Sequence, residues 1–337
     1  MIIDFETHFF TKEYVDAFEH ATGYPRFETD ADGRMFLVYN KRLGLRSPRG
    51  AHLEEMTVVD KRLNDMRAAG VDVHVLSLSA PGCDIAKPRL GRELARTAND
   101  YVASLMARHP GRFLGLATVY APDPESAAEE LRRAVSSLGL NGLNLYSNVR
   151  GEYLDSEGLW PIYREAERLD VPVLIHPTLT PIPQINELGF AFWGPAFGYD
   201  FDPALSYMRM IFRGVFDRFP RMKIVLGHLG EVIPFLIRRI DFPFTHPFAK
   251  DDHLRNLKRK PSDYVRENLY ADSSGNPHQP SLVLTCKTLG ADRVVFASDY
   301  PNEPMKAAVS YIRDSDLAPE EREMIFWKNA SRLFKLK

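Results

Sequence analysis

The 337-residue sequence predicts an α/β protein of the (β/α)8 TIM-barrel class, with long insertions after strands one and five. Three observations carry that expectation. Short runs rich in Val, Ile and Leu recur eight times; segments with helical spacing of apolar residues stand between them; and the runs are near-continuously apolar rather than strictly alternating. A strand that is apolar on both faces is buried on both faces, the condition of a parallel sheet covered by helices. Eight such units make a barrel of about 250 residues, so the surplus length must lie in insertions.

The first strand is expected at 1–5, where "MIIDF" runs into Glu6, Thr7 and His8, so that Glu6 and His8 end it. Residues 11–59 are polar and turn-rich and read as a long first loop with a small hairpin. A helix at 60–69 leads to a strand at 71–79, a helix at 87–109 to one at 112–120, a helix at 123–138 to one at 140–147, and a helix at 156–169 to one at 171–177. A second insertion, 178–201, follows that fifth strand, and a helix at 202–219 reaches the sixth at 223–230. A third insertion, 241–262, precedes the seventh strand at 268–275; a helix at 277–289, a strand at 293–300 and a helix at 302–313 complete the alternation. Loops this long inside a compact domain are usually functional. No repeat, low-complexity segment or flexible linker divides the chain, so residues 1–337 are expected to form one domain.

Composition narrows the partners. The 43 basic and 45 acidic residues give a net charge of −2 with no long run of one sign, which leaves no electrostatic footprint for nucleic acid or a membrane surface. Small molecules and further copies of the chain are the expected partners. A basic N-terminal region followed by a long apolar stretch is missing, and nowhere do about eighteen apolar residues run together, so neither a signal peptide nor a spanning helix is expected. Cys83 and Cys286 are too few and too far apart for a disulfide framework and read as reduced thiols in a cytoplasmic protein.

In a barrel of this class the C-terminal ends of the strands share one mouth, and that face carries chemistry. Glu6 and His8 end the first predicted strand, His176 the fifth, His228 the sixth and Asp299 the eighth. Imidazole mixed with carboxylate suits Zn, Mn, Fe or Co, whereas an all-oxygen site suits Mg or Ca. The i, i+2 spacing of Glu6 and His8 puts both on one face of an extended strand.

"ETHF" at 6–9, "LIHPT" at 174–178, "LGHLGEVIP" at 226–234 and "FASDYP" at 296–301 occur in this order at strand ends. With them the chain resembles the amidohydrolase superfamily. Within it, the likeness is to the metal-dependent nonoxidative decarboxylases, among them the aminocarboxymuconate semialdehyde, γ-resorcylate and 5-carboxyvanillate enzymes. The Glu-x-His form of the first motif is more similar to the hydroxybenzoate-type decarboxylases than to the semialdehyde enzyme. The resemblance implies that Glu6, His8, His176 and Asp299 ligate one divalent cation, zinc or manganese, and that a hydroxyaryl carboxylate is the substrate. It implies Asp299 as proton donor to the ring carbon. His228 and Glu231, one turn into the following helix, are expected to form an oriented acid/base dyad. For the arginine that such enzymes place on the substrate carboxylate, Arg49 in "LRSPRG" is the best positional match and Arg46 the next.

The aromatic-rich second insertion, with Phe190, Phe192, Trp193, Phe197 and Tyr199, is expected to wall a pocket against a flat ring. Relatives are dimers or tetramers, and 241–262 is the expected contact for a homodimer or homotetramer. A second reading keeps the scaffold and makes the protein a hydrolase or hydratase, with Asp299 as base toward an attacking water. Glu6 in place of a first histidine, Glu231 after His228, and Leu145-Tyr146-Ser147 where a binuclear hydrolytic site would carry a lysine all favour the decarboxylase. A non-catalytic barrel would carry a broken ligand set, and this set is intact.

Overall fold

The computed structural model describes residues 1–249 and 257–336. Eight parallel strands, β1 (Ile3–Phe9), β2 (Val73–Leu78), β3 (Phe113–Thr118), β4 (Gly142–Tyr146), β5 (Pro172–His176), β6 (Lys223–Leu226), β7 (Leu269–Asp272) and β8 (Val294–Val295), are neighbours in that order. The sheet then meets itself. Phe5 N–H donates to the Phe296 carbonyl and His8 N–H to the Tyr300 carbonyl, both at 2.8 Å, beside a parallel bridge between Thr7 and Tyr300. The architecture is a (β/α)8 barrel.

Helices stand between the strands close to where the apolar spacing predicts them, as at Val59–Ala69, Pro88–Arg108, Pro124–Ser136 and Trp160–Leu169. Pro124–Ser136 shows why. Proline fills the first turn, the Asp123 side chain accepts the Ser126 N–H, and Ala127, Ala128, Leu131 and Ala134 form the buried stripe. The strands bury both faces: Leu174 points into the barrel with Val75, Leu116 and Val225, while Val173 and Ile175 pack outward beneath the helices.

Residues 314–336, to which apolar spacing assigned no element, supply the floor. Helices Pro319–Glu323 and Asn329–Leu333 lead Ala330, Leu333 and Phe334 into the inner cluster, with Phe334 stacked on Phe5 at 5.3 Å. Ile3, Phe5 and Val73 lie at the starts of their strands, so this plug closes the N-terminal end and leaves the other end for the site.

The insertions carry more structure than expected. Residues 11–59 hold the helix Lys12–Glu19, an antiparallel three-stranded ribbon (Arg26–Thr29, Met35–Asn40, Leu45–Ser47), the turn Arg49–His52 and the helix Leu53–Thr57. The second insertion forms a short helix, Pro183–Asn186, and a turn kinked at Gly194 that feeds the helix Gly198–Phe212. The third begins with Phe242–Thr245 and Pro247–Ala249; its residues 250–256 lie outside the described residues. Among the described residues no helix is long and apolar enough to cross a membrane, and Cys83 and Cys286 are buried free thiols.

Candidate metal centre and active site

The first strand delivers its donors by a device that simple alternation does not contain. Ile3 and Phe5 belong to the barrel interior, so a regular strand would aim Glu6 and His8 outward at the helices. Between Asp4, opposite His74, and Thr7, opposite Leu76, β1 advances three residues while β2 advances two. This bulge resets the phase. Glu6 and His8 therefore face inward, while Phe9 packs outward on Tyr101 of the helix Pro88–Arg108. The other donors need no such device: His176 follows inward Leu174, and Asp299 follows inward Val295 and Ala297, at two-residue steps.

These side chains meet. His8 Nε2 lies 2.8 Å from Asp299 Oδ1, and His176 Nε2 lies 3.6 Å from Glu6 Oε1. One ligand atom each from Glu6, His8 and His176 falls within 4.8 Å of the others, and all three residues are buried. Their partners set the tautomers. His176 Nδ1 donates to the Pro177 carbonyl at 2.6 Å, which leaves the Nε2 lone pair turned to the site. Ser77 Oγ donates to the Thr7 carbonyl and accepts from His8 Nδ1 at 3.1 Å. His8 Nε2 is then an acceptor facing an Asp299 carboxylate oxygen, and two acceptors at 2.8 Å hold a proton or a cation between them.

The charge points the same way. Ser274 Oγ has one proton to offer and lies 2.9 Å from Glu6 Oε2 and 2.7 Å from Asp272 Oδ1. Asp272 Oδ2 is buried and has no hydrogen-bond partner among the described residues. Burial pushes the Glu6 carboxyl well above the usual carboxylate range, and Asp272 and Asp299 push it further. Burial also raises Asp272, against the Ser274 hydrogen bond. Asp299 is the exception: burial would raise it, but the His8 hydrogen bond and charge and the Asn302 amide, 2.9 Å from Oδ1, hold it below its ordinary value. A buried excess of carboxylate lined by imidazole nitrogens fits a divalent cation of the zinc or manganese kind.

Beyond Leu226 the chain leaves the sheet, so His228 sits two residues past β6 rather than on it. His228, Leu229, Gly230 and Glu231 all have positive φ, at 47°, 64°, 79° and 59°. This corrects the expected position of Glu231, which precedes the helix Ile233–Leu236 instead of lying inside it. The left-handed coil, rather than a helical turn, folds the Glu231 carboxylate to 3.2 Å from His228 Nδ1. Asp200 Oδ1 approaches the same nitrogen at 3.3 Å. Burial opposes a charge on His228, yet these two carboxylates hold its pKa well above the ordinary value. Sequence reasoning missed Asp200, Ser77, Asp272, Ser274 and Asn302. Their positions follow from loop geometry or from second-layer hydrogen bonds that leave no spacing signal.

His176, His228 and Asp299 open into a cavity of about 440 Å³. Of the aromatic insertion, Phe190 and Tyr199 line it; Phe192 and Trp193, expected there as substrate-binding residues, do not. Trp193 is fully buried behind the wall with Leu45 and Ile185, because the kink at Gly194 turns it under the insertion. Phe192 stacks on Phe197 at 5.1 Å. Arg46 is likewise away from the lining, exposed over the Phe36 ring at 4.3 Å, where the ribbon strand carries it outward. Arg49 opens the turn between Pro48 and His52, which both line the cavity; its side chain lies outside the described residues.

A family profile described as amidohydrolase matches residues 3–336. The γ-resorcylate decarboxylase of Polaromonas sp. strain JS666 is 35% identical over 291 residues, covering 83% of this chain and 88% of that protein. The crystal structure of 5-carboxyvanillate decarboxylase from Sphingomonas paucimobilis superposes with a TM-score of 0.86 at 35% identity, covering 100% of this chain and 99% of that one. The corresponding enzyme of Novosphingobium aromaticivorans, solved with manganese and 4-hydroxy-3-methoxy-5-nitrobenzoic acid, gives a TM-score of 0.88 at 30% identity, covering 100% and 96%. With a profile match over nearly its whole length, the chain belongs to the amidohydrolase family.

Proposed function

We propose that this protein is a metal-dependent carboxy-lyase that releases CO2, without an oxidant, from a hydroxybenzoate-type acid. Similarity over most of the chain to γ-resorcylate decarboxylase, and over all of it to 5-carboxyvanillate decarboxylase, supports the reaction class. The observation that carries the reading is the approach of Glu6, His8, His176 and Asp299 to one another, with the His228–Glu231 pair opening onto the same cavity. In this proposal those four residues hold one divalent cation, zinc or manganese. When bound, the cation supplies a Lewis acid and a template for the oxygens of substrate.

The protein's own groups do the rest. Asp299, ionised at neutral pH, accepts the phenolic proton of the substrate and delivers it to the ring carbon bearing the carboxylate. The C–C bond then breaks, its electron pair restores the aromatic ring, and CO2 departs; solvent returns one proton to the phenolate. His228, cationic between Glu231 and Asp200, donates a hydrogen bond to the substrate oxygen on which charge grows. Phe190, Pro177 and Pro195 exclude water from the ring faces, and in this proposal Arg49, chosen by its place in the sequence between the lining residues Pro48 and His52, holds the leaving carboxylate. The chain acts as one barrel domain in the cytoplasm and assembles as a homodimer or homotetramer.

The test is protein reconstituted with Mn²⁺ or Zn²⁺ and offered a panel of hydroxybenzoic acids. The expected result is stoichiometric CO2 release with no oxygen uptake. Metal-replete protein that is inert on the panel but hydrolyses lactones would overturn it.

A further inference from the structure

The polar groups of the cavity fall into two sets. One is engaged: His176 and Asp299 belong to the donor cluster, and His228 and Asp200 to each other. The other is not. Glu303, Asn276 and His52 line the same cavity, and their side chains make no hydrogen bond or ion pair among the described residues. Glu303 ends the turn in which its N–H bonds the Asp299 carbonyl at 3.4 Å, so it stands exposed on the rim, four residues past the proton-carrying residue. Among the described residues, the lining holds three carboxylates, Asp200, Asp299 and Glu303, beside the His228 imidazolium that Asp200 already pairs, and no lysine or arginine.

That wall has a chemical preference. An unengaged carboxylate is an acceptor only, so it is satisfied by a hydroxyl or amino group on the ring and repels a second carboxylate brought beside it. Asn276 accepts or donates, and so adds adaptability without adding charge. The two kinds of relative differ in this respect. A γ-resorcylate enzyme acts, by its name, on a dihydroxybenzoate, and a 5-carboxyvanillate enzyme on a ring with two carboxylates. Similarity is 35% to each, so overall identity does not choose between them.

We infer that Glu303 is a specificity-determining residue of this site: it selects a monocarboxylic aromatic acid carrying a further hydrogen-bond donor on the ring, and rejects a ring with a second carboxylate. The inference rests on the hydroxybenzoate decarboxylase reading and names the substrate class within it. Arg49, assigned above to the leaving carboxylate, has its side chain outside the described residues, so the preference is argued from the described lining alone.

The experiment compares 2,6-dihydroxybenzoate with 4-hydroxyisophthalate on the manganese-loaded full chain, wild type and Glu303→Gln. Alongside turnover, calorimetry measures binding of the unreactive analogues 2-nitroresorcinol and 3-nitro-4-hydroxybenzoate, the second carrying the extra carboxylate. Wild type is expected to favour the dihydroxy acid in kcat/KM, and the resorcinol in affinity, by about 100-fold; Glu303→Gln narrows both ratios by about tenfold, because the amide no longer repels and also donates. Circular dichroism and metal content, unchanged in the variant, show that the effect is local. A wild-type preference for the diacid, or ratios unmoved by Glu303→Gln, overturns the inference. Absence of turnover on every acid would overturn the decarboxylase reading instead, and the two binding ratios would still decide the role of Glu303.

Discussion

The placement of His228 depends on a residue with no side chain, and replacing Gly275 by alanine tests how much that placement matters. Gly275 has φ +62°, and a Cβ built there falls 2.3 Å from His228 Cδ2 and 2.9 Å from Nε2. Ordinary contact begins near 3.4 Å, so the ring must retreat by about 1 Å. It cannot swing freely, because Glu231 and Asp200 hold Nδ1 at 3.2 and 3.3 Å and the backbone at 228 is itself left-handed. A displacement of about 1 Å at a reacting group lowers rate on the order of 100-fold. The positive φ adds about 1 kcal/mol of destabilisation, a few degrees in Tm for a chain of this size. The assay is kcat/KM on the best panel acid, with metal content and Tm measured in parallel. Gly139→Ala is the control: Gly139 has φ +80° and nothing within 4 Å of a built Cβ, so it carries the backbone strain without the collision. Both variants lose similar stability, and only Gly275→Ala loses activity. A folded, metal-replete Gly275→Ala protein with wild-type kcat/KM would refute the claim that His228 acts at the reacting atoms.

Asp299→Asn removes the group proposed to carry the proton but leaves Glu6, His8 and His176 in place; turnover is expected to drop on the order of 10³-fold while metal analysis still finds bound cation, and retained activity would strip Asp299 of its role. Arg49→Met should raise KM about tenfold with little change in kcat, because a carboxylate clamp contributes mainly to binding; steady-state kinetics that show the reverse split would reassign it. Burial raises the Asp84 carboxyl to about 7, against the Ala121 N–H that it accepts at 2.8 Å and the nearby Arg150. The folded state therefore keeps this proton after the unfolded chain has lost it, so its contribution to stability is present below about pH 4 and is lost as pH rises to about 7. Urea unfolding at pH 5 and pH 8 should accordingly show a smaller loss of stability in Asp84→Asn than in wild type, by about 2 kcal/mol, and equal losses would contradict the assignment.

How much was legible varies with the range of the forces involved. Val173, Leu174 and Ile175 read as a strand buried on both faces because both faces are buried, and the stripe of Ala127, Leu131 and Ala134 reads as a helix because it covers that sheet. The helices after Pro319 leave no spacing signal because they are short and are ordered only by plugging the barrel against Phe5. The composition of the aromatic insertion distinguishes ring from chain but not the wall residues Phe190 and Tyr199 from Trp193 behind them.

The alternation of strand and helix, the chemical identity of the donors at the strand ends and the order in which they come are legible in the amino-acid sequence, since each is written in residues within a few positions of one another. The aim of those donors comes from packing between distant segments. A bulge in β1 exists only through its pairing with β2, and it turns Glu6 and His8 from the helix face to the barrel interior. A left-handed coil brings Glu231 back onto His228, and a helix from a distant insertion adds Asp200 to the same nitrogen. The reason is that phase and approach are set by contacts between segments far apart in the chain, whereas side-chain periodicity reports only the neighbourhood in which it is read.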